Sequence, residues 1–471
     1  MVTYRTQQIR IKKDHRLYDY LDHMTVLSTR LYNTSNYYYR QVLTGTRKVH
    51  LSDNEAKAID YINNHLDLLN QVRYEKYLKK LEKNSTTRAF LEFKKLTKDD
   101  YLTYELLDGI LKVTKHPDYY ALPGQVNQQV IKNLFRNWKS YFEAIADYRL
   151  HPEKYESMPK IPKYKKNTKH MITLSNQVCV LKSSHLKFPK TKQTLNVSKY
   201  FSKSGNLKEV RVLPRVNFIL LELVFAVEIN NEILPFQNVA SIDLGVNNLV
   251  TMINNVGESP IIVKGTVVKS INQYYNKTRG KYYSDLRKGK KKNEGQFTSK
   301  RLNRLNEKRH SKIKDYFHKT SYLIIKECLV MSCGTLVIGL NQDFKKNVKL
   351  RKSDKQNFIH IPFAMLINML KYKAEAAGIQ VIITEESYTS KASFLDGDYI
   401  PVYGEHVESL FSGRRISRGL YSSKEDMIIN ADVNAALNIM KKAVPEAANE
   451  LWDRGVGFKA IMSTPLVIKV S

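Results

Sequence analysis

Segments typical of strands alternate with segments typical of helices from residue 238 onward. The strand-like segments are VASIDLG, NLVTMIN, SPIIVKG, GTLVIGLN and IQVIITEE, and the helical ones are a long basic helix, IPFAMLINMLKYKAEAAG and ADVNAALNIMKKAV. Such alternation constrains the fold strongly, because each amphipathic helix must bury its apolar face against a sheet. The pattern predicts an α/β layered fold around a mixed sheet.

An aspartate interrupts the first of these apolar strands. Asp243 lies in SIDLGVNNLV, and burial of its carboxylate costs free energy unless a positive group meets it. Glu385 and Glu386 end the strand VIITEE, and Asp432 opens the helix ADVNAALNIM. Because the ends of elements in an α/β sheet gather around one crevice, we expect these acids to lie close together.

Carboxylates that converge in one crevice repel one another unless cations lie between them. Mg²⁺ prefers oxygen ligands and keeps several waters, so a few carboxylates and a substrate phosphate suffice to bind it. Two such ions about 4 Å apart can activate water and stabilise the leaving oxygen in phosphodiester cleavage.

The acids also have simple structural explanations. Asp432 suits a helix cap or a first helical turn, Glu385 and Glu386 suit a solvated strand end, and Asp243 suits a turn with Gly245.

The net charge indicates a polyanionic partner. Lys and Arg number 77 against 45 Asp and Glu, which gives a formal charge of +32 over 471 residues. Neutralisation of phosphates by Lys and Arg is the main sequence-independent contribution to nucleic-acid binding. The 30 tyrosines offer rings that stack on unpaired bases or pack in a core. An anionic membrane is disfavoured, because the sequence has no amphipathic anchor and no apolar span of about 18 residues.

The small number of cysteines excludes two kinds of stabilising cross-link. The chain has three cysteines, Cys179, Cys328 and Cys333, so it can form neither a secreted disulfide framework nor a four-cysteine zinc site. The N-terminal sequence MVTYRTQQIRIKK has no apolar signal region. We therefore expect an intracellular protein, cytoplasmic and associated with the nucleoid, that has no membrane partner.

The first half of the sequence predicts a β-domain that contains a helical insertion. Residues 1–12 alternate as one strand, and the chain is then helical in character from about 14 to 150. Prolines and lysines end this pattern at 151–167, and 170–235 resemble antiparallel strands. The clearest helix, 124–148, has an apolar stripe that buries one face and includes Val126, Val130, Leu134, Trp138, Phe142 and Ala146.

Several ordered motifs resemble those of a known family. They are SIDLGVNNLVT, HKTSYLII (318–325), GTLVIGLNQDFKKN (334–347), FIHIPFAMLINMLKYKAEAAGIQVIITEESYTSKASF (358–394) and INADVNAALNIMKKAVP (429–445), with a further match over 128–166. Together they resemble the TnpB family, which comprises transposon-encoded RNA-guided DNA nucleases with a RuvC-like domain, related to type V CRISPR effectors. The resemblance covers most of the chain from about residue 125 and is strongest in the C-terminal half.

The resemblance implies an α+β multidomain layout that agrees with the patterns above. A wedge β-barrel is split by an inserted helical recognition domain, and an α/β RNase H-like (RuvC) nuclease domain follows. In this sequence the ranges are 1–13 for the wedge strand, 14–150 for the recognition domain, 151–237 for the wedge β-domain, 238–391 and 429–471 for the nuclease domain, and 392–428 for an insert.

The resemblance also implies the catalytic residues. The first and third catalytic aspartates of the family correspond to Asp243 and Asp432. Many relatives carry the second acid at the end of the strand LVIGLN, where this chain has Gly339 and Leu340. One branch of the family places that glutamate on the next strand, just before YTS. In this chain that position is Glu386, with Glu385 as the fallback, and strand alternation allows one of the pair to face the crevice.

The insert 392–428 departs from the family in its metal ligands. Many relatives have a four-cysteine zinc ribbon here, whereas this chain has Ala392 in place of the first cysteine and no cysteine after Cys333. We therefore expect the insert to fold without zinc. Its basic segment FSGRRISRGL (411–420) either guides DNA or is a solvated loop, and the lysine-rich segment 286–295 is either a phosphate contact or a mobile loop.

The function implied by the resemblance is RNA-guided DNA endonuclease activity. The cofactors are two Mg²⁺ ions, held by Asp243, Glu386 and Asp432, and a guide RNA derived from the transposon end. The target is double-stranded DNA that pairs with the guide beside a short flanking motif. The alternatives are an RNA-guided transcriptional repressor that has lost nuclease activity and a structural nucleic-acid-binding protein. The sequence does not indicate the oligomeric state.

Overall fold

The computed structural model forms two compact units, Met1–Glu228 and Ile229–Ser471. The structure describes residues 2–83, 89–166, 169–200, 205–228, 238–340, 361–402, 404–405, 411–417, 419–453 and 460–470. Parts of the predicted segments, including 341–347 and 358–360, lie outside these residues.

The first unit combines a helical segment with short and long strands. Its helices are α1 (Tyr18–Gly45), α2 (Asp53–Asn64), α3 (Leu66–Leu81), α4 (Tyr104–Val113), α5 (Pro117–Tyr120) and α6 (Gly124–Leu150). Its strands are β1 (Val2–Lys12), β2 (Ile172–Ser175), β3 (Val180–Lys182), β4 (His185–Lys187), β5 (Thr194–Asn196), β6 (Gly205–Pro214) and β7 (Phe218–Glu228). Two 3₁₀ turns, Pro152–Lys154 and Ser198–Tyr200, complete the unit.

The helices of this unit are inserted, in sequence, between strands of one antiparallel sheet. That sheet has the order β1-β7-β6-β2, and a second sheet has the order β3-β4-β5. The long strand β7 is central, as its almost continuous apolar sequence predicts. Among the described residues both sheets are open, and these strands do not close into a barrel.

Helix α6 confirms most of the predicted apolar stripe. Val126, Val130, Leu134 and Trp138 are buried, but Phe142 is only partly buried and Ala146 is exposed. Trp138 stacks on Tyr39, with ring centroids 4.5 Å apart, and its indole N–H donates to Asn36 Oδ1 over 3.0 Å. The tryptophan therefore anchors the core of this unit, and the predicted stripe is wrong at its last residue.

The second unit has the alternating strands and helices that the sequence predicts. Its strands are β8 (Val239–Asp243), β9 (Asn248–Asn254), β10 (Ile261–Lys264), β11 (Thr335–Gly339), β12 (Gln380–Thr384), β13 (Arg414–Ser417), β14 (Leu420–Ser422), β15 (Ile428–Asn430) and β16 (Leu466–Ile468). Its helices are α7 (Thr266–Arg287), α8 (Lys300–Val330), α9 (Phe363–Ala376), α10 (Ala431–Ala443) and α11 (Pro445–Asp453).

The predicted long basic helix is two helices rather than one. Helix α7 ends before the exposed segment 288–299, and helix α8 begins after it. Gly289 and Gly295 in this segment have φ angles of 70° and 75°, which lie in the left-handed region that glycine tolerates best. Ser299 then caps α8 by accepting a hydrogen bond from Leu302 N over 3.2 Å.

A six-stranded mixed sheet organises the second unit. Its strand order is β12-β11-β8-β9-β10-β16. Strands β8, β9 and β10 pair antiparallel, whereas β11 and β12 run parallel to β8. This arrangement brings the carboxyl ends of β8, β11 and β12 to one edge of the sheet. It agrees with the α/β layered fold around a mixed sheet that the sequence predicts.

The two faces of the central strand β8 bury different partners. Ala240 and Ile242 belong to the apolar core that includes residues of α8 and α9. Val239 belongs to a second core, which includes residues of α10. Because successive side chains of a strand point to opposite faces, the odd-numbered residues of β8 face α10. Among the described residues, no helix combines the length and the apolar character that crossing a membrane requires.

Candidate acidic active site

Strand alternation places Asp243 on the face of the sheet that α10 covers. Ser241, two residues earlier, lies on the same face and donates from Oγ to the carbonyl of Ala436 over 2.7 Å. Asp432 lies one helical turn before Ala436, in the first turn of α10. The carboxyl end of β8 and the N-terminal end of α10 therefore meet, and each contributes an aspartate.

The pKa of Asp243 shows that the predicted acids influence one another. Burial raises this pKa well above its ordinary value, and the negative charges of Asp432 and Glu386 raise it further. The backbone N–H of Leu244 and the charge of Arg415 act in the opposite direction. Since Coulomb interactions of this kind need proximity, Asp432 and Glu386 each lie close enough to Asp243 for their charges to act on its carboxyl group.

Glu386 follows β12 and occupies space next to the end of β11. Burial, followed by the charge of Glu385, raises the pKa of Glu386 to about 7. A Cβ atom added to Gly339 would lie 3.0 Å from Glu386 Oε2 and 2.5 Å from Ile439 Cδ1. The absence of a side chain at position 339 thus leaves the room that the Glu386 carboxylate uses.

Glu385 has a different environment from that of its neighbour. It forms an ion pair with Lys442 and accepts a hydrogen bond from Ser387 N over 2.7 Å. Burial alone would raise the pKa of Glu385, but the hydrogen bonds from Lys442 and Ser387 outweigh it, so this pKa is lowered. Glu385 is therefore ionised, and its charge is paired with the ammonium group of Lys442.

The carboxylate of Asp432 is held by two neighbours. Asn248 donates from Nδ2 to Asp432 Oδ2 over 2.6 Å, and Arg415 Nη2 lies 3.8 Å from Asp432 Oδ1. The cap of α10 is Asn430, whose side chain accepts from Asp432 N and Val433 N over 3.0 and 3.2 Å. The explanation of Asp432 as the helix cap is therefore wrong, although it does lie in the first turn.

The turn explanation of Asp243 holds only for its neighbour Gly245. A Cβ atom added to Gly245 would lie 2.6 Å from the carbonyl oxygen of Asn248, so the close approach of the β8–β9 turn requires glycine. Asp243 itself belongs to β8 and pairs with Thr251 of β9. A turn therefore explains the glycine and leaves the position of the carboxylate unexplained.

Two residues near the acids carried no specific signal in the sequence. Asn248 is the first residue of β9, and Arg415 lies in the basic segment 411–420, for which DNA guidance or a solvated loop is expected. Lys264 Nζ donates to Asn248 Oδ1 over 3.0 Å, so a lysine also approaches the site through the asparagine. Their roles depend on contacts between segments far apart in the chain, which no local pattern encodes.

The acidic side chains suit a hard divalent cation. Within the described ranges, no group of three or more Asp, Glu, His or Cys side chains already stands as a ligand set for a metal ion. Mg²⁺ does not need a complete protein cage, because it keeps several waters and uses one or two carboxylates with substrate phosphates. The mutual repulsion that raises the pKa of Asp243 is the repulsion that a cation relieves. By donor chemistry the three acids fit Mg²⁺.

The described part of the insert 392–428 is held by hydrogen bonds around one carboxylate. Asp398 accepts from Ser393 N over 2.7 Å and from Ser412 N and Oγ over 3.0 and 2.5 Å. Lys441 of α10 donates to the carbonyl of Asp398 over 2.8 Å. Strands β13, β14 and β15 form a small antiparallel sheet beside these contacts. The side chain at position 392 is a buried alanine.

Two protein-family models match the second half of the chain. The model described as OrfB_IS605, probable transposase, matches residues 224–344. The model described as Cas12f1-like, TNB domain, matches residues 363–439. The two matched ranges contain Asp243, Glu386 and Asp432.

A curated relative and solved structures show more distant similarity. The TnpB-like protein ORF457 of Acidianus two-tailed virus is 25% identical over 220 residues, which are 46% of this chain and 44% of that protein. The match therefore spans less than half of the relative. A Cas12f1–sgRNA–target DNA complex aligns with a TM-score of 0.44 at 13% identity, over 93% of this chain and 98% of that one. C2c1 from Alicyclobacillus acidoterrestris, in complex with single-guide RNA, aligns with a TM-score of 0.36 at 10% identity, over 88% and 70%.

Proposed function

Because the chain is a TnpB family protein, we propose that it is an RNA-guided DNA endonuclease whose active site consists of Asp243, Glu386 and Asp432. The observation that carries the proposal is the convergence of these acids at one edge of the mixed sheet, where the charges of Asp432 and Glu386 raise the pKa of Asp243. A structural nucleic-acid-binding protein has no use for three carboxylates that repel one another and DNA phosphates.

The sheet supports an RNase H-like nuclease domain of the RuvC type. Three antiparallel strands, β8 to β10, are followed by two strands, β11 and β12, that extend the sheet parallel to β8. Helix α10 then packs across the face that carries the acids. We assign the nuclease domain to 238–391 and 429–471, with 392–428 as the insert. The wedge comprises 1–13 and 151–237, and the recognition domain comprises 14–150.

The three acids come from different elements, and metal binding requires them to be ionised. Asp243 and Asp432 come from β8 and α10, which the hydrogen bond from Ser241 to Ala436 joins. Glu386, whose pKa is raised to about 7, and Asp243, whose pKa is also raised by burial and by its acidic neighbours, must lose their protons to act as ligands, so metal binding releases protons. When bound, Mg²⁺ supplies an activated water and stabilises charge on the leaving oxygen of the phosphodiester.

Glu386 is a better second ligand than Glu385 for two reasons. The ion pair with Lys442 already neutralises Glu385, and breaking it would leave a lysine that is 11% exposed without its partner. Glu386 instead lies over Gly339, at the strand end where many relatives carry their catalytic glutamate. Its carboxylate thus replaces the one that position 339 lacks.

The positive charge of the chain serves the nucleic acids. A net charge of +32 matches the phosphates of a guide RNA and of a double-stranded DNA target. In RNA-guided recognition the guide reads the target by base pairing, and the protein recognises the shape of the heteroduplex and a short flanking motif. We propose that the guide derives from the transposon end and that the protein acts where its nucleic-acid partners are, in the cytoplasm at the nucleoid.

A cleavage assay with purified protein, its guide RNA, matched DNA and Mg²⁺ tests this function. Asp243→Ala and Asp432→Ala should each lower the cleavage rate by roughly a thousandfold or more, while guide-RNA binding is retained. Asp315→Ala serves as the control, because Asp315 is 67% exposed on α8, and it should cleave as the wild type does. Undiminished cleavage by either active-site variant rejects the site. Guide-dependent DNA binding by the wild type without cleavage would instead identify an RNA-guided repressor.

A further inference from the structure

A lysine and an asparagine form a hydrogen-bonded chain that ends on one of the acids. Lys264 Nζ donates to Asn248 Oδ1 over 3.0 Å, and Asn248 Nδ2 donates to Asp432 Oδ2 over 2.6 Å. The two donor residues are paired between β10 and β9, at a register shift that follows Val263. Asn248 is 9% exposed, so this chain is shielded from most of the solvent.

The orientation of the Asn248 amide is fixed by its two charged neighbours. A lysine ammonium can only donate hydrogen bonds, and an ionised carboxylate can only accept them. The amide oxygen must therefore face Lys264, and the amide nitrogen must face Asp432. Reversing the amide would set donor against donor and acceptor against acceptor, so the lysine determines which group of Asn248 meets the aspartate.

The backbone around Lys264 is also held. Tyr316 of α8 donates from its hydroxyl to the carbonyl of Lys264 over 2.6 Å. The side chain of Lys264 thus leaves from a fixed point of the strand. On the other side of the chain, the side chain of Asn430 caps α10 through Asp432 N. Both ends of the hydrogen-bonded chain are therefore anchored in secondary structure.

We propose that Asn248, oriented by Lys264, is a positioning residue for Asp432. By engaging Oδ2 it fixes the rotation of the carboxylate and leaves Oδ1 for the cation, since Arg415 Nη2 lies 3.8 Å from Oδ1, which is beyond hydrogen-bond distance. This inference rests on the proposed function, since it concerns the same site. Partners of this kind, one step removed from a metal, typically change metal affinity or activity by about 10- to 100-fold when they are mutated.

The neighbouring Asn247 provides a matched control. It is an asparagine of the β8–β9 turn, directly before Asn248, but its side-chain oxygen accepts a hydrogen bond from Lys269. Asn247→Ala therefore removes an amide and a lysine contact of the same turn without altering a contact to an acid. Asn248→Leu removes the amide but keeps a side chain of similar shape, and Lys264→Met keeps the aliphatic stem while removing the ammonium.

Binding of Mn²⁺ to the full-length protein, followed by electron paramagnetic resonance of the free ion, tests the inference without a cleavage assay. Asn248→Ala and Asn248→Leu should raise the dissociation constant for Mn²⁺ by about tenfold or more. Lys264→Met should raise it by a smaller factor, and Asn247→Ala should leave it unchanged. Thermal unfolding confirms that each variant is folded. If Asn248→Ala does not fold, Asn248→Leu and Lys264→Met decide the question.

The outcomes separate this inference from the proposed function. Asp243→Asn and Asp432→Asn should weaken Mn²⁺ binding most, and wild-type affinity in both would reject the metal site together with the positioning role. If those two variants are weakened but folded Asn248→Leu and Lys264→Met bind Mn²⁺ as the wild type does, the site stands and the positioning role is overturned. Equal weakening by Asn247→Ala would also overturn it, because the effect would then belong to the turn.

Discussion

Glu386 Oε2 lies 3.0 Å from the position that a Cβ atom of Gly339 would occupy. The two residues come from the ends of neighbouring parallel strands, β12 and β11. A side chain at position 339 and the observed Glu386 carboxylate therefore compete for the same space. The glycine is thus coupled to the proposed second acid, and the absence of an acid at position 339 does not by itself argue against the proposed nuclease activity.

The first prediction concerns Gly339→Ala. The added methyl group would lie 2.5 Å from Ile439 Cδ1 and 3.0 Å from Glu386 Oε2, so both side chains must shift. Overpacking of this kind typically costs about 1–3 kcal/mol, and displacement of the carboxylate should lower the cleavage rate by at least about tenfold. Cleavage of matched DNA and thermal unfolding measure the two effects.

Gly280→Ala is the control for this substitution. A Cβ atom at Gly280, within α7, meets nothing within 4 Å, and alanine favours a helix over glycine by about 0.8–1.0 kcal/mol. Gly280→Ala should therefore keep the cleavage rate unchanged and keep or slightly raise the stability. If Gly339→Ala cleaves at the wild-type rate, the Glu386 carboxylate does not depend on the space above residue 339.

The second prediction separates the two adjacent glutamates. Glu386→Gln should abolish DNA cleavage, because a neutral amide replaces the carboxylate that we propose as a ligand of the cation. Glu385→Gln should keep cleavage within a few-fold of the wild type, since the residue it replaces is paired with Lys442. Because Lys442 is 11% exposed, loss of its charged partner should also lower the stability of the protein, which thermal unfolding measures. Inactive Glu385→Gln beside active Glu386→Gln would reverse the assignment.

The alternating pattern of the sequence predicted much of the second unit, because the spacing of apolar residues reflects which side of a strand or helix is buried. Strands β8 to β12 and helix α10 lie where strand-like and helical segments alternate, and strand periodicity placed Asp243 on one face of its strand. A single long basic helix was predicted where the structure has α7 and α8, although the loop interpretation of the lysine-rich segment 286–295 agrees with the exposed segment between them. The exact end of α7 depends on the left-handed backbone at Gly289 and Gly295. Propensity along a basic amphipathic stretch does not reveal such a local conformation.

The polar neighbours of the acids could not be predicted for a different reason. Asn248 and Asp432 are separated by 184 residues, and a hydrogen bond between them depends on the order of the strands and on the position of α10. The sequence supplied candidate acids because an acid in an apolar strand is unusual. An asparagine at the start of a strand is common, so only the assembled sheet distinguishes Asn248 from Asn247.

The third prediction concerns the acid stability of the first unit. Hydrogen bonds from Lys48, Thr44 and Ser52 lower the pKa of Glu55 from 4.5 to about 2, and the side chain is 4% exposed. A carboxyl group whose pKa is lowered on folding contributes stability above its unfolded pKa and loses it as the pH falls through the folded value. The contribution of Glu55 to the free energy of unfolding should therefore be complete above pH 4.5 and vanish as the pH falls towards about 2.

Urea unfolding of Glu55→Gln and the wild type, compared from neutral to acid pH, measures this contribution. In a Trp452→Phe background, the fluorescence of Trp138 reports on the first unit, because the chain has 2 tryptophans. The difference in free energy of unfolding between the two proteins should shrink as the pH decreases below 4.5. Glu143→Gln, at a residue that is 66% exposed, is the control. A difference that stays constant over this range would contradict the prediction.

The fourth prediction concerns the insert 392–428, which we expect to fold without zinc. Asp398 joins two parts of it, since one carboxylate accepts from Ser393 N and from Ser412 N and Oγ. Asp398→Ala leaves these donors without their acceptor, and each lost hydrogen bond to a charged group is worth about 1.5–3 kcal/mol. The insert should then open more often, and trypsin should cleave after Arg414 or Arg415 at least about tenfold faster.

Glu425→Ala, at an exposed position of the same insert, should be cleaved as the wild type is, and a zinc chelator should change the rate in none of the three proteins. Faster proteolysis of the wild type after chelation would show that a metal holds the insert, and equal rates for Asp398→Ala and the wild type would show that Asp398 does not.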